Sequence, residues 1–83
     1  MKKYTAKIEV IFKAGVLDPQ GETIKNALLN LNYKNIEKVS TGKLFRVDLN
    51  AKSIAEAKST VKELTDKLLA NPVIEDFIVE IVK

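Results

Sequence analysis

Residues 15–21 separate two segments whose apolar side chains recur with different periods. Before them, over residues 3–13, apolar and polar residues alternate, which predicts a β-strand with one buried face. After them, apolar residues recur every three or four positions, which predicts an amphipathic helix. These helical positions are Ile24, Ala27, Leu28 and Leu31. The chain therefore has to change from strand to helix within this short stretch.

Asp18 and Pro19 give this corner a local explanation. The Asp18 carboxylate can accept hydrogen bonds from the unpaired N–H groups that open a helix, and proline suits the first helical position because its missing N–H has no partner there. Val16 and Leu17 have no such role. Apolar residues at the tip of a connection either fold back onto the core or form a site that a partner protein covers. The stretch is therefore either a capped corner or a corner that also meets a partner.

Residues 36–49 are predicted to be extended, in one of two ways. In the first, residues 40–43 form the turn of a hairpin between a short strand at 36–39 and a longer strand at 44–49. In the second, Gly42 marks a bulge in one long strand. We favour the hairpin.

The rest of the chain predicts a second helix and a last strand. Ser53 and Glu56 match a capping box, which places the start of the helix there. Its apolar positions are Ile54, Ala57, Val61, Leu64 and Leu68. The helix ends at Asn71 and Pro72, because proline disfavours helical backbone at the residue before it. Residues 77–82 alternate and are predicted to form the last strand.

This order predicts an α+β fold in which both helices cover one face of a three- to four-stranded, mainly antiparallel sheet, with the ferredoxin-like order β-α-β(β)-α-β. The length of 83 residues fits one domain, 1–83. The other sheet face mixes charges with aliphatic residues, which fits either a solvated surface or an interface for self-association. Its residues are Thr5, Lys7, Glu9, Ile11, Leu44, Arg46, Asp48, Ile78, Glu80 and Val82.

The chain lacks the residue types that most often act in catalysis. The chain has no cysteine and no histidine, so it lacks the common thiol nucleophile, the common general base and the common zinc ligands. We therefore predict no catalytic residue, no metal site and no bound cofactor. The sequence Ser40-Thr41-Gly42-Lys43 lacks the first glycine and the final serine or threonine of a phosphate-binding loop.

The charge and the N-terminus bear on partners and location. The 14 basic residues are scattered among 11 acidic ones, which fits a solvated surface and disfavours nucleic-acid binding. No long apolar segment follows the N-terminal lysines, so neither a signal peptide nor a membrane span is predicted. We expect a cytoplasmic protein that binds neither nucleic acid nor membrane.

Two stretches together resemble a known family. Residues 15–21, followed by Ala27 and Leu28, and residues 67–76 are similar to the two signature segments of the PurS family. Residues 39–43 are similar to the Gly-Lys turn of that family, and the resemblance covers essentially the whole chain. One departure is Asn32, where family members commonly carry glycine, but asparagine tolerates the same left-handed backbone.

The PurS family supplies the small subunit of phosphoribosylformylglycinamidine synthase, so the resemblance implies a non-catalytic subunit in de novo purine synthesis. It implies a homodimer or homotetramer that bridges a synthetase and a glutaminase subunit and supports ammonia transfer between them. The complex of that family uses ATP, magnesium and glutamine. Our hypothesis for the partner interface comprises Val16, Leu17, Asp18, Pro19, Gln20, Asn71 and Pro72.

Two other classes of function stay open at this point. One is a free-standing ferredoxin-like regulatory module that binds a small metabolite between subunits. The other is RNA binding, which the dispersed charge disfavours because RNA affinity depends on a concentrated basic surface.

Overall fold

The computed structural model describes residues 1–82, in which three strands and two α-helices follow one another. The α+β class and the order β-α-β-α-β are confirmed. In chain order the elements are β1 (Lys2–Phe12), α1 (Pro19–Asn30), β2 (Gly42–Ala51), α2 (Ile54–Leu64), a π-helical turn (Thr65–Leu69) and β3 (Glu75–Val82). Asn32, just after α1, has a φ of 73°, which confirms the left-handed conformation expected there.

The three strands form one antiparallel sheet in the order β2-β1-β3. The register places Ile8 of the central strand between Phe45 and Val79 on one face. On the other face Glu9 lies between Leu44 and Ile78. Because side chains alternate along a strand, this register gathers the predicted apolar positions of all three strands on one side of the sheet.

α2 packs on the centre of this apolar face. Every inward side chain of β1 from Tyr4 to Val10 is at most 4% exposed, and so are Ala57 and Val61 of α2, which pack in the same two clusters. The inward residues of β2 and β3 are only half-buried. These residues are Phe45, Val47, Leu49, Phe77, Val79 and Ile81. One helix therefore covers the middle of the sheet and leaves both flanks partly open.

α1 does not lie on the sheet, so the prediction that both helices cover one face is not met in this respect. It makes no substantial contact with any strand of its own chain. The longest dimension of the molecule is 53 Å. A strand the length of β1 spans about 36 Å and a helix the length of α1 about 18 Å, so the two placed end to end account for this dimension. An apolar stripe predicts that a helix is covered but does not specify which surface covers it.

The predicted hairpin at residues 36–49 is wrong, and so is the bulged strand. Residues 36–41 are in neither a strand nor a helix, and β2 begins at Gly42 with an unbroken register against β1. The physical reason lies at Thr41, whose N–H donates a 2.6 Å hydrogen bond to the Asp18 carboxylate. This bond holds the chain against the start of α1, so residues 36–39 do not turn back along β2.

The π-helical turn changes which leucine faces the core. The predicted stripe of the second helix includes Leu68, but Leu68 is 83% exposed and Leu69 packs against the core instead. A π-turn carries an extra residue relative to an α-helical turn, so the residues that follow are rotated around the axis. Helical periodicity alone assumes a regular α-helix and misses this shift.

Candidate partner-binding surface

Asp18 joins the start of α1 to the start of β2. Its carboxylate accepts hydrogen bonds from the Gly21 N–H at 2.9 Å and from the Thr41 hydroxyl at 2.8 Å, besides the bond from the Thr41 N–H. The predicted cap is therefore confirmed, with Pro19 at the first helical position. Nothing in the local sequence predicts the contact with Thr41, which lies 23 residues away.

These hydrogen bonds also set the ionisation of Asp18. The Thr41 N–H and then the Gly21 N–H stabilise the charged carboxylate, which holds the pKa of Asp18 below its ordinary value. With all three donors directed at it, the carboxylate is a structural acceptor and has no role as a proton donor at neutral pH.

The lowered pKa of Asp18 predicts a loss of stability in acid. A folded-state pKa below the unfolded-state value means that the contribution is fully present above the ordinary carboxyl range and is lost as the pH falls through the folded-state pKa. We expect Asp18→Asn to weaken the pH dependence of thermal unfolding between neutral pH and about pH 3, where carboxylates titrate. The control is Asp66→Asn, because Asp66 is exposed and accepts no hydrogen bond among the described residues. Equal pH profiles for both variants would contradict the prediction.

The predicted surface residues of the first loop lie where α1 leaves the sheet. Gly15 has a φ of 83° and turns the chain at this point. Val16 is half-buried and lines a shallow cavity of about 170 Å³, whereas Leu17 is 71% exposed. Pro19 and Gln20 are exposed at the start of the helix. Leu17 is therefore the apolar residue of this loop that has no intramolecular role.

Lys13 connects the two predicted parts of the surface. Its N–H donates to the Ile74 carbonyl oxygen at 2.9 Å, and its ammonium forms an ion pair with Asp76 at 2.8 Å. The loop before α1 and the turn before β3 therefore lie at the same end of the sheet. Asn71 shapes that turn, because its side-chain oxygen accepts from the Val73 N–H at 3.0 Å.

Two apolar residues beside this turn were missed in the sequence. Leu68 and Val73 are 83% and 78% exposed and flank Asn71 and Pro72 in the chain. Leu17 is likewise exposed, so each of the two segments that Lys13 connects carries exposed apolar side chains. The signal for Val73 was available, since it follows the proline that ends the helical segment. The exposure of Leu68 depends on the π-turn and could not be predicted from the sequence pattern.

The described part of the chain shows neither a group of metal-binding residues nor a membrane-spanning helix. Among residues 1–82 no three acidic side chains come together as a metal site would require. In this described part of the chain, no helix has the length and apolarity needed to cross a membrane. A partner interface at Leu17, Asp18 and the turn at Asn71 stays a prediction.

The outer sheet face presents a second apolar feature. Leu44 and Ile78 are 66% and 56% exposed on either side of Glu9. Thr5 donates a 2.7 Å hydrogen bond to Asp48 on the same face. Self-association through this face stays a prediction.

The whole described architecture has counterparts among known proteins. Residues 5–83 match the family model described as PurS, phosphoribosylformylglycinamidine (FGAM) synthase. The chain belongs to the PurS family. The membership of the PurS family that the sequence predicts is thereby confirmed.

Several PurS relatives match over most of their length. The phosphoribosylformylglycinamidine synthase subunit PurS of Archaeoglobus fulgidus is 46% identical over 72 residues, which cover 87% of this chain and 90% of the relative. The PurS subunit of Methanocaldococcus jannaschii is 38% identical over 80 residues, covering 96% of each chain.

Solved PurS structures share the fold described above. The crystal structure of Methanocaldococcus jannaschii PurS matches with a TM-score of 0.85 at 38% identity, covering 96% of both chains. That protein is described as one of the subunits of formylglycinamide ribonucleotide amidotransferase in the purine biosynthetic pathway. A chain of the PurLQS structure from Thermotoga maritima matches with a TM-score of 0.89 at 30% identity, covering 99% of this chain and 100% of that chain.

Proposed function

We propose that this chain is the non-catalytic small subunit of phosphoribosylformylglycinamidine synthase in de novo purine synthesis. The observation that carries the proposal is the match, over nearly the full length of both chains, to a chain of the PurLQS complex from Thermotoga maritima. In this role the chain forms a homo-oligomer and bridges a synthetase subunit of the PurL type and a glutaminase subunit of the PurQ type. Its contribution is to hold the two subunits so that ammonia passes between them.

The side chains of this chain support its non-catalytic role in the complex. This chain has neither histidine nor cysteine, and Asp18 is occupied by three hydrogen bonds. We assign ATP, magnesium and glutamine to the other two subunits. The location proposed for the complex is the cytoplasm.

The partner interface we propose lies at the end of the sheet where α1 begins. It comprises Val16, Leu17, Asp18, Pro19, Gln20, Asn71 and Pro72. Asp18 and Asn71 hold the two backbone turns, and Leu17 supplies the exposed apolar side chain. An exposed apolar side chain on an ordered turn can be buried by a partner at little cost in conformational entropy.

Reconstitution tests the proposed role directly. The synthetase and glutaminase subunits are assayed with and without this chain, using glutamine or ammonium salt as the nitrogen donor. We expect glutamine-dependent amidine formation to require this chain, whereas ammonia-dependent formation by the synthetase subunit requires it less. Full glutamine-dependent activity without the chain would overturn the proposal.

Leu17→Asp is expected to weaken capture of the synthetase subunit while leaving the fold intact. Leu17 is exposed in the free chain, so the substitution costs little stability there, but a carboxylate in an apolar interface is desolvated without a partner. We expect at least about a tenfold rise in Kd, which is typical of losing a central interface residue. Circular dichroism checks the fold, and a pull-down titration measures the affinity.

The matched control for this prediction is Ile54→Asp. Ile54 is also exposed, at 47%, but it lies at the start of α2, where an acidic residue suits the helix. Normal affinity for both variants would show that the corner at residues 15–21 only turns the chain. A loss with both would show that added negative charge, and not the position of Leu17, weakens the complex.

A further inference from the structure

Thr65 is a polar residue at a position that belongs to the core. Its side chain is 0% exposed, and it lies one helical turn after Val61, which is also 0% exposed. The Thr65 hydroxyl donates a 2.7 Å hydrogen bond to the carbonyl oxygen of Val61, which also accepts from the Thr65 N–H. A buried hydroxyl needs an acceptor, and this one finds it in the backbone of the preceding turn.

The π-helical turn begins at the same residue. The carbonyl oxygen of Thr65 accepts from the Ala70 N–H at 2.8 Å, whereas an α-helix would pair it with the N–H of Leu69. A threonine hydroxyl that bonds to the carbonyl four residues back tends to bend a helix, because it adds a second donor to the backbone ladder. Thr65 therefore takes part in the hydrogen bonds on both sides of the change from α-helix to π-turn.

Other contacts fix the chain before and after the π-turn. Before it, Val61 packs with Ile8 in the main apolar cluster. After it, the Asn71 N–H donates to the Glu75 carboxylate at 2.7 Å, and the Glu75 N–H donates to the Asn71 carbonyl oxygen at 2.8 Å. Glu75 pairs with Phe12 at the start of β3. The chain between these fixed points has one residue more than a regular α-helix would use, and the π-turn absorbs it.

Apolar burial alone does not select this arrangement. If residues 65–69 were α-helical, Leu68 would lie seven residues and about two turns after Val61, on the same side of the helix. Leu68 would then enter the core in place of Leu69, and the extra residue would pass into the turn at Asn71. Because the two side chains are identical, the apolar area buried would differ little. The frame of the turn is defined here by which of the two leucines faces the core.

We propose that Thr65 is a positioning residue that selects the frame of this turn. Its hydroxyl, bonded to Val61, holds the bend that the π-turn requires. Leu68 therefore stays outside, and the turn at Asn71 and Pro72 keeps its hydrogen bonds. Asn71 and Pro72 belong to the proposed partner interface, so the effect of Thr65 on binding rests on the proposed function. The frame itself is a property of the isolated chain.

The first test removes the hydroxyl and keeps the branched shape of the side chain. In methyl-labelled protein, nuclear Overhauser contacts connect the main apolar cluster with Leu69. We expect Thr65→Val to lose these contacts and to gain contacts with Leu68, because the Val61 carbonyl has lost its second donor. Thr65→Ser keeps the hydroxyl and is expected to keep the contacts with Leu69. Contacts of Leu69 that persist unchanged in Thr65→Val would overturn the proposal.

The second test removes the extra residue. Deleting the exposed Lys67 turns the step of five residues from Thr65 to Ala70 into the step of four that an α-helix uses, with Leu69 still inward. We expect the deletion variant to fold and to keep the contacts of Leu69, even when Thr65→Val is added. The control deletes the exposed Lys58 from the regular helix α2, which would rotate residues 54–57 by about 100° relative to the core and prevent folding.

Two results of the second test would overturn the proposal. If Thr65→Val unfolds both the full-length chain and the chain without Lys67, Thr65 only fills the core. If the chain without Lys67 does not fold, the extra residue is needed for the core itself. Folding of Thr65→Val only in the chain without Lys67 would support the selection of the frame, since a lost hydrogen bond alone would destabilise both chains equally.

The third measurement connects the frame to the partner. In the pull-down titration with the synthetase subunit, we expect Thr65→Val to raise the Kd at least about tenfold, as loss of an interface residue does. The control is Thr60→Val, the same change on the exposed side of α2, which leaves the Kd unchanged. A switched frame with normal affinity would overturn the positioning role. Failure of the proposed function would be seen separately in the reconstitution, and the contacts in the isolated chain would still decide the frame.

Discussion

Ile8→Ala is expected to lower the free energy of unfolding by about 2–5 kcal/mol, as truncation of a fully buried isoleucine does in other cores. Ile8 lies in the middle of the central strand, is 0% exposed, and shares the main apolar cluster with Val61 of α2. Because a single helix covers the sheet, few neighbours can move to fill the cavity. Urea denaturation followed by circular dichroism measures the change.

The control for this prediction lies in the same strand. Ile11→Ala removes the same atoms from the outer face, where Ile11 is 42% exposed, so we expect a loss below about 1 kcal/mol. Both variants are measured at low micromolar concentration. If Ile11→Ala costs as much as Ile8→Ala, the outer sheet face is covered as well, which would favour self-association through that face.

Gly21→Ala is expected to lower the free energy of unfolding by about 1–3 kcal/mol, the usual cost of an overpacked site. The added methyl group would meet the backbone carbonyl oxygen of Val39 and come within 3.0 Å of the Asp18 side chain. Helix propensity makes the opposite prediction, since alanine is favoured over glycine by about 1 kcal/mol in an unpacked helix. The sign of the change therefore shows whether the backbone at Val39 packs against α1.

Hydrogen exchange of the Thr41 amide reports this change, because that amide donates a hydrogen bond to the Asp18 carboxylate at the start of α1. We expect faster exchange in Gly21→Ala and no change in Asn26→Ala, which places the same methyl group on the exposed side of α1. Slower exchange in Gly21→Ala would mean that helix propensity dominates and that Val39 packs less closely against α1 than described.

Local chemistry predicted the parts of the structure that depend on near neighbours in the chain. β1 has the predicted inward face, and Asp18 caps α1 as expected. The capping box at the start of α2 is nearly as predicted: Ser53 accepts from the Glu56 N–H at 3.2 Å, whereas the Glu56 carboxylate reaches the N–H of Lys52. These interactions span four residues or fewer, so their patterns can be read directly from the sequence.

The candidate surface was predicted less completely. Residues 15–20 and 71–72 do lie at one end of the sheet, but the link between them is Lys13, which belongs to neither segment. Leu68 is exposed beside the second segment and was placed in the core instead. Its exposure follows from one extra residue in the π-turn. A helical pattern of apolar residues spaced by three and four does not predict such an extra residue.

The sequence by itself determined the family, the fold class, the order of the elements and the inward face of each strand, because alternation, capping residues and signature segments are local properties. Only the tertiary structure decided where α1 goes. Its apolar stripe is equally compatible with its own sheet and with another apolar surface, since the hydrophobic effect depends on the area buried and not on which surface buries it. The hydrogen bond from Thr41 to Asp18 joins residues 23 apart and ties the start of β2 to the start of α1, a contact that no local pattern predicts.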